Sequence, residues 1–134
     1  MSILIQNGTL LCPDGPIRAD LRVAGDRIAE IGVSLPGRDS RIIDAAGKLV
    51  FPGFIDTHTH FEMNKGLPNE TADDWHSGTL AALAGGTTTV LDFAEPERGC
   101  SLSSALEAWH RRADGRSSCH YSFHMTIKDW DPRI

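Results

Sequence analysis

Apolar and polar positions alternate in short runs over residues 2–50. The stretch "ILIQNGTLL" sets aliphatic and β-branched side chains on both sides of Asn7-Gly8, a strong turn dipeptide, and predicts a hairpin there. In "ADLRVAGDRIAEIG", Leu21 and Val23 alternate with polar partners, Gly25-Asp26 turns the chain, and Ile28 and Ile31 return. "RIIDAAGKLVFPG" adds two short apolar segments around Ala46-Gly47. No helical period occurs in this half, so residues 1–52 are expected to form a small antiparallel β module.

The pattern changes at Pro52-Gly53. "FIDTHTHF" predicts a buried strand from Phe54 to His60, followed by a polar loop, Glu62 to Glu70. Thr71 and Asp74 have the spacing of a capping box, with Asp in place of the usual Glu, and predict a helix over Thr71–Ala84. Trp75, Leu80 and Leu83 would form its apolar face, and Gly85-Gly86 would stop it. "TTTVLDF" reads as a second buried strand ending at Asp92. "SLSSALEAWHRRADG" reads as a second helix, capped by Ser101 or Ser103 and closed by Gly115, and "CHYSFHMTI" as a third strand. A third helix is expected to start near Asp131-Pro132. Strands alternating with helices over residues 53–134 imply βαβ units and a parallel sheet. Three parallel strands do not bury both faces of a sheet, so the chain is expected to be the N-terminal part of a larger α/β architecture. Phe54, Val90 and Phe93 are then expected to face water in these residues alone.

Composition narrows the function classes. A net charge of −5, with 40% hydrophobic and 23% charged residues, describes a soluble globular chain and argues against a nucleic-acid surface. Arg111, Arg112 and Arg116 are the densest basic cluster, too few for a phosphate track. No apolar run approaches the roughly 20 residues of a membrane helix, and the N-terminus lacks the basic leader of a signal peptide. Cys12, Cys100 and Cys119 are odd in number and have no C-x-x-C spacing, which suits a reducing, cytoplasmic setting.

The chemistry concentrates in "PGFIDTHTH". Residues two apart on a strand share a face, so His58 and His60 stand side by side and can present two imidazole nitrogens to one metal ion at ~2.0–2.1 Å. An H-x-H pair alone is a weak signal among 6 histidines. Its place at the C-terminal end of a strand that opens a parallel α/β unit, where such folds carry their sites, strengthens the metal assignment. Asp56 and Asp92 could be ligands or could orient a histidine, or could simply bond loop N–H groups. His76 and His110 read as surface histidines. His120 and His124 share a strand face roughly 13 Å apart, too far to chelate one ion, and read as structural. Asp73 and Asp74 suit a first helical turn.

"LVFPGFIDTHTHFEM", "TADDWHSGTLAALAGGTTTVLDFAEPERG" and the opening "ILIQNGTLL" together resemble the cyclic amidohydrolase family. The resemblance extends over essentially the whole chain, and the second stretch is most similar to its dihydropyrimidinase and hydantoinase branch. It implies the N-terminal portion of a metal-dependent (β/α)8 TIM barrel, residues 53–134, preceded by part of a β-sandwich, residues 1–52. It also implies a hydrolase that opens a cyclic amide or ureide ring, a small-molecule substrate and a homo-oligomer, a tetramer. His58 and His60 would bind one of two divalent metals, commonly zinc. The bridging carboxylated lysine, two further histidines and a proton-shuttling aspartate would come from later strands, beyond Ile134. Lys48, Lys65 and Lys128, the only lysines, do not match the bridging position, so no catalytic residue is assigned within the chain. The loop after the histidines would contact the substrate's ring substituent through Phe61, Met63 and Leu67. Related allantoinases and dihydroorotases, and non-catalytic dihydropyrimidinase-like scaffolds, are the alternatives; retention of both histidines speaks against a scaffold.

Overall fold

Residues 2–130 are described in a computed structural model, which divides into two units, Met1–Pro52 and Gly53–Ile134. The helix expected near Asp131-Pro132 lies outside the described residues.

The first unit is all β, as its alternating pattern requires. Its strands are β1 Ser2–Gln6, β2 Thr9–Cys12, β3 Gly15–Arg18, β4 Asp20–Ala24, β5 Arg27–Gly32, β6 Ser40–Asp44 and β7 Leu49–Val50. They form one sheet of order β5-β4-β1-β6 and another of order β3-β2-β7. The turn at Gly25-Asp26 makes the expected hairpin of β4 and β5, with Gly25 at φ +61°. Two expectations are corrected. The unit is mixed rather than antiparallel, because β1 pairs with β6 and β2 with β7 in parallel. Asn7-Gly8 is not a hairpin turn either: β1 and β2 lie in different sheets, and the chain crosses between them there. Nonlocal bonds enforce that corner. The Asn7 N–H donates to Asp20 Oδ1 at 2.9 Å, and its side-chain amide donates to Asp44 Oδ1 at 3.0 Å. Asp20, buried, also accepts the Leu35 N–H at 2.9 Å. Leu4, Leu10, Ala19, Leu35 and Ala45 are this unit's buried apolar residues.

In the second unit, β8 Phe54–Thr59, α1 Trp75–Ala84, β9 Thr87–Ala94, α2 Leu102–Ala113 and β10 His120–Met125 follow the expected alternation. All strand pairs are parallel, in the order β10-β9-β8. Asp74 rather than Thr71 caps α1. Its carboxylate accepts the Ser77 N–H at 2.7 Å, and Ser77 Oγ accepts the Asp74 N–H at 3.1 Å, a capping box one turn later than expected. Thr71 instead closes the preceding loop, its Oγ1 accepting the Met63 N–H at 2.9 Å. Ser101 caps α2.

The core forms where α1 and α2 cover β9: Phe61, Trp75, Val90 and Ala113, with Tyr121, Phe123 and Ala82 against them. Val90 is therefore buried, contrary to the expectation that it would face water. β8, expected to be buried, lies beyond that cover and leaves Phe54 and Ile55 52% and 62% exposed. On α1 the buried face is Trp75, Gly78 and Thr79, whereas Leu80 and Leu83 are exposed. Gly78 is required by packing. A Cβ there would stand 2.2 Å from Cε1 of Phe61, whose buried ring is held against Trp75. Gly78→Ala is expected to destabilise by about 1–3 kcal/mol through overpacking, despite alanine's helix advantage of about 1 kcal/mol; a lowered urea midpoint checks it. Among the described residues no helix is long and apolar enough to cross a membrane, and Cys12, Cys100 and Cys119 are free thiols.

Candidate functional site

His58, on β8, and His60, just past its end, project from one face as alternation dictates, and their Nε2 atoms lie 3.3 Å apart. Two nitrogens at ~2.0–2.1 Å from one tetrahedral ion would be separated by roughly 3.3 Å. The pair therefore has the spacing of a two-point ligand, provided each ring carries its proton on Nδ1. Among the described residues no third His, Cys, Asp or Glu completes a metal-binding cluster with it. The floor beneath both rings is Phe93 of β9, 4.5 Å from the His58 ring centroid and 5.1 Å from that of His60.

The backbone that carries the pair is irregular. Asp56 pairs with Val90 and Thr59 with Asp92, so three steps on β8 oppose two on β9. This is a bulge, the device that re-aims side chains beside functional sites. Side chains take up the polar groups around it. Asp56 Oδ1 accepts the His58 N–H at 3.1 Å, and the Thr59 hydroxyl donates to the Leu91 carbonyl at 3.1 Å. Asp92 Oδ2 accepts the Phe61 N–H at 2.8 Å, and its other oxygen accepts the Phe93 N–H. Asp56 and Asp92 thus bond main-chain N–H groups rather than join the histidines as donors to an ion. Burial pushes the Asp92 carboxyl above the usual carboxylate range, against the pull of its two N–H partners.

The loop leaving the pair is tied down by charge. Glu62, at φ 51° and buried, accepts from Arg116 Nη2 at 2.7 Å and from Lys65 Nζ at 3.3 Å; the same arginine nitrogen lies 3.3 Å from Asp74 Oδ2. The Arg116 guanidinium, foremost, holds the Glu62 carboxyl below its usual range against the opposing effect of burial. Beside His60 this loop borders a cavity of about 270 Å³, lined by Met63, Leu67, Phe93, Trp109 and Arg112 among others. Met63 and Leu67, expected as substrate contacts, thus sit on the cavity wall. Phe61, the third, also lines the cavity, and its ring is largely buried, its centroid 5.0 Å from that of Trp75.

His76 is exposed on α1, and His110 packs edge-on to Phe123. His120 is exposed on β10. His124, expected to be structural, packs on the same floor and bonds the main chain of β8: its ring lies 4.9 Å from Phe93 and its Nε2 is 2.9 Å from the Thr57 carbonyl. Phe93 closes the "TTTVLDF" stretch, but nothing in that stretch marks it as the floor of the pair, and His124 belongs to none of the stretches that carry the resemblance. The available signal was register, since His124 pairs with Phe93 across β10 and β9.

Residues 49–117 match the model of the Amidohydrolase family. The D-hydantoinase of Ralstonia pickettii is 44% identical over 96% of this chain and 28% of its own length. The dihydropyrimidinase of Rattus norvegicus is 43% identical over 98% of this chain and 26% of its own length. The crystal structure of dihydropyrimidinase from Brevibacillus agri superposes with a TM-score of 0.93 at 38% identity, covering 99% of this chain and 29% of that one. The chain thus spans less than a third of the length of these relatives. With more than half of its residues matched, including the strand that carries His58 and His60, it belongs to the amidohydrolase family.

Proposed function

We propose that the full-length protein hydrolyses the ring C–N bond of a cyclic amide, a hydantoin or dihydropyrimidine. The observation that carries this reading is the His58 and His60 pair, two Nε2 atoms 3.3 Å apart at the end of a parallel strand. The names of its relatives, D-hydantoinase and dihydropyrimidinase, support the substrate class. In this reading β8, β9 and β10 are the first strands of a (β/α)8 barrel, with the histidines at its C-terminal face. The first unit forms part of a β-sandwich. The family resemblance supports a homotetramer, and the three free thiols suit the cytoplasm.

Nitrogen donors of this kind suit zinc. A bound divalent ion would supply Lewis acidity and a hydroxide at neutral pH. His58 and His60 would hold it from one side through Nε2, over the apolar floor of Phe93. Hydrolysis breaks the ring amide bond, places the water oxygen on the carbonyl carbon and returns a proton to the leaving nitrogen. The loop at Phe61, Met63 and Leu67 would meet the ring substituent, with the Phe61 ring also anchored against Trp75.

The test is turnover of hydantoin and dihydrouracil by the purified full-length protein. Ring opening should be nearly abolished by a chelator and restored by Zn²⁺. Absence of turnover on both rings, or turnover indifferent to chelation, would overturn the reading.

A further inference from the structure

The bulge in β8 leaves one main-chain acceptor whose partner comes from a different strand, 67 residues away. The Thr57 carbonyl lies 2.9 Å from His124 Nε2. A carbonyl oxygen can only accept, so His124 carries its proton on Nε2 and donates. We propose that His124 is a positioning residue for the histidine pair: its Nε2–H holds the Thr57 carbonyl, and with it the bulged backbone from which His58 projects beside His60. This rests on the metal-binding reading of the pair.

Three observations converge on it. The bulge lies between Asp56 and Thr59, so Thr57 and His58 are the residues without a regular register on β9. A bulged strand leaves ladder groups unpaired, and each needs another partner. Here Asp56 meets the His58 N–H and His124 meets the Thr57 carbonyl, so both polar groups of the peptide unit that joins Thr57 to His58 are held by side chains. The His124 ring also packs on Phe93, centroids 4.9 Å apart, and Phe93 in turn lies against both His58 and His60. Three imidazoles therefore share one aromatic floor, and His124 adds a hydrogen bond from β10 to β8, the strand of His58. His124 is not placed as a third ligand, because its Nε2 is committed to the carbonyl and no cluster of three donors forms among the described residues.

The test uses the full-length protein with Zn²⁺ as the probe. His124→Phe keeps a ring over Phe93 and removes the donor, whereas His124→Gln can place an amide N–H near the position of Nε2. The Zn²⁺ dissociation constant is measured by chelator competition, kcat and KM on hydantoin, and the thermal midpoint of the metal-free proteins. His124→Phe should weaken Zn²⁺ binding by about 10–100-fold, the range for partners that orient metal ligands, and lower kcat with little change in KM. His124→Gln should recover most of both. The metal-free midpoints should stay close to wild type, which separates positioning from a structural role. Wild-type Zn²⁺ affinity in His124→Phe would overturn the proposal, as would a folded His124→Gln that binds as poorly as His124→Phe. If His124→Phe does not fold, the glutamine variant decides alone: near-wild-type affinity supports the proposal and loss refutes it. His58→Ala is the control. Should it keep its metal, the reading of the pair fails, independently of His124.

Discussion

Alanine at His58 or His60 is expected to strip Zn²⁺ from the full-length protein and remove nearly all ring-opening activity. The two Nε2 atoms, 3.3 Å apart, act as one chelating pair. Deleting either leaves a single imidazole with no neighbour at ligand distance on this strand, so the loss should exceed the roughly 10–100-fold typical of changes at outer partners. The effect should also be local. His58 is exposed and His60 half-buried, and neither belongs to the apolar core. The metal-free variants should therefore unfold within about 0.5 kcal/mol of metal-free wild type, as substitutions away from packed features do. Metal content after dialysis, measured beside kcat and the unfolding midpoint, checks both parts. Unchanged metal in both variants would show that the pair is structural.

Residues 1–134 expressed alone are expected to self-associate and to show no turnover with added Zn²⁺. Among the described residues, β8 and β10 each hydrogen-bond to one neighbouring strand, which leaves two open edges on the parallel sheet, and open edges template further pairing. Phe54 and Ile55 on β8 and Leu80 on α1 are all more than half exposed. Each large apolar side chain left in water forgoes about 1.5–3 kcal/mol, against a total of ~5–15 kcal/mol for a whole domain. Two imidazoles, for their part, supply neither a bridge between metals nor an acid for the leaving nitrogen. Sedimentation, thermal unfolding and a hydantoin assay test this together. A monomer with a cooperative transition and metal-dependent turnover would refute it.

Local features of this chain were legible from sequence because they depend on near neighbours. The placement of His58 and His60 on one side follows from the two-residue period of a strand, whatever packs around it. The Ser101 cap, the Gly85-Gly86 stop and the parallel order of the three later strands follow from short-range pattern and from the need to cover a sheet. Pairing partners and facing surfaces were not so determined. Asn7-Gly8 has the chemistry of a hairpin, yet Asp20 and Asp44, distant in sequence, make it a crossing between sheets. A helical period shows that α1 has an apolar side, but only the fit of Phe61 into the space left by Gly78 decides that Leu80 and Leu83 face away. The same fit seats the Phe61 ring in the core at the cavity's edge. The bulge at Thr57 and His58, and the reach of His124 to it from 67 residues away, arise only when β8, β9 and β10 are set side by side. Sequence sets which residues share a face of one element; which faces meet is a matter of volume and unpaired backbone groups, and those are properties of the folded chain.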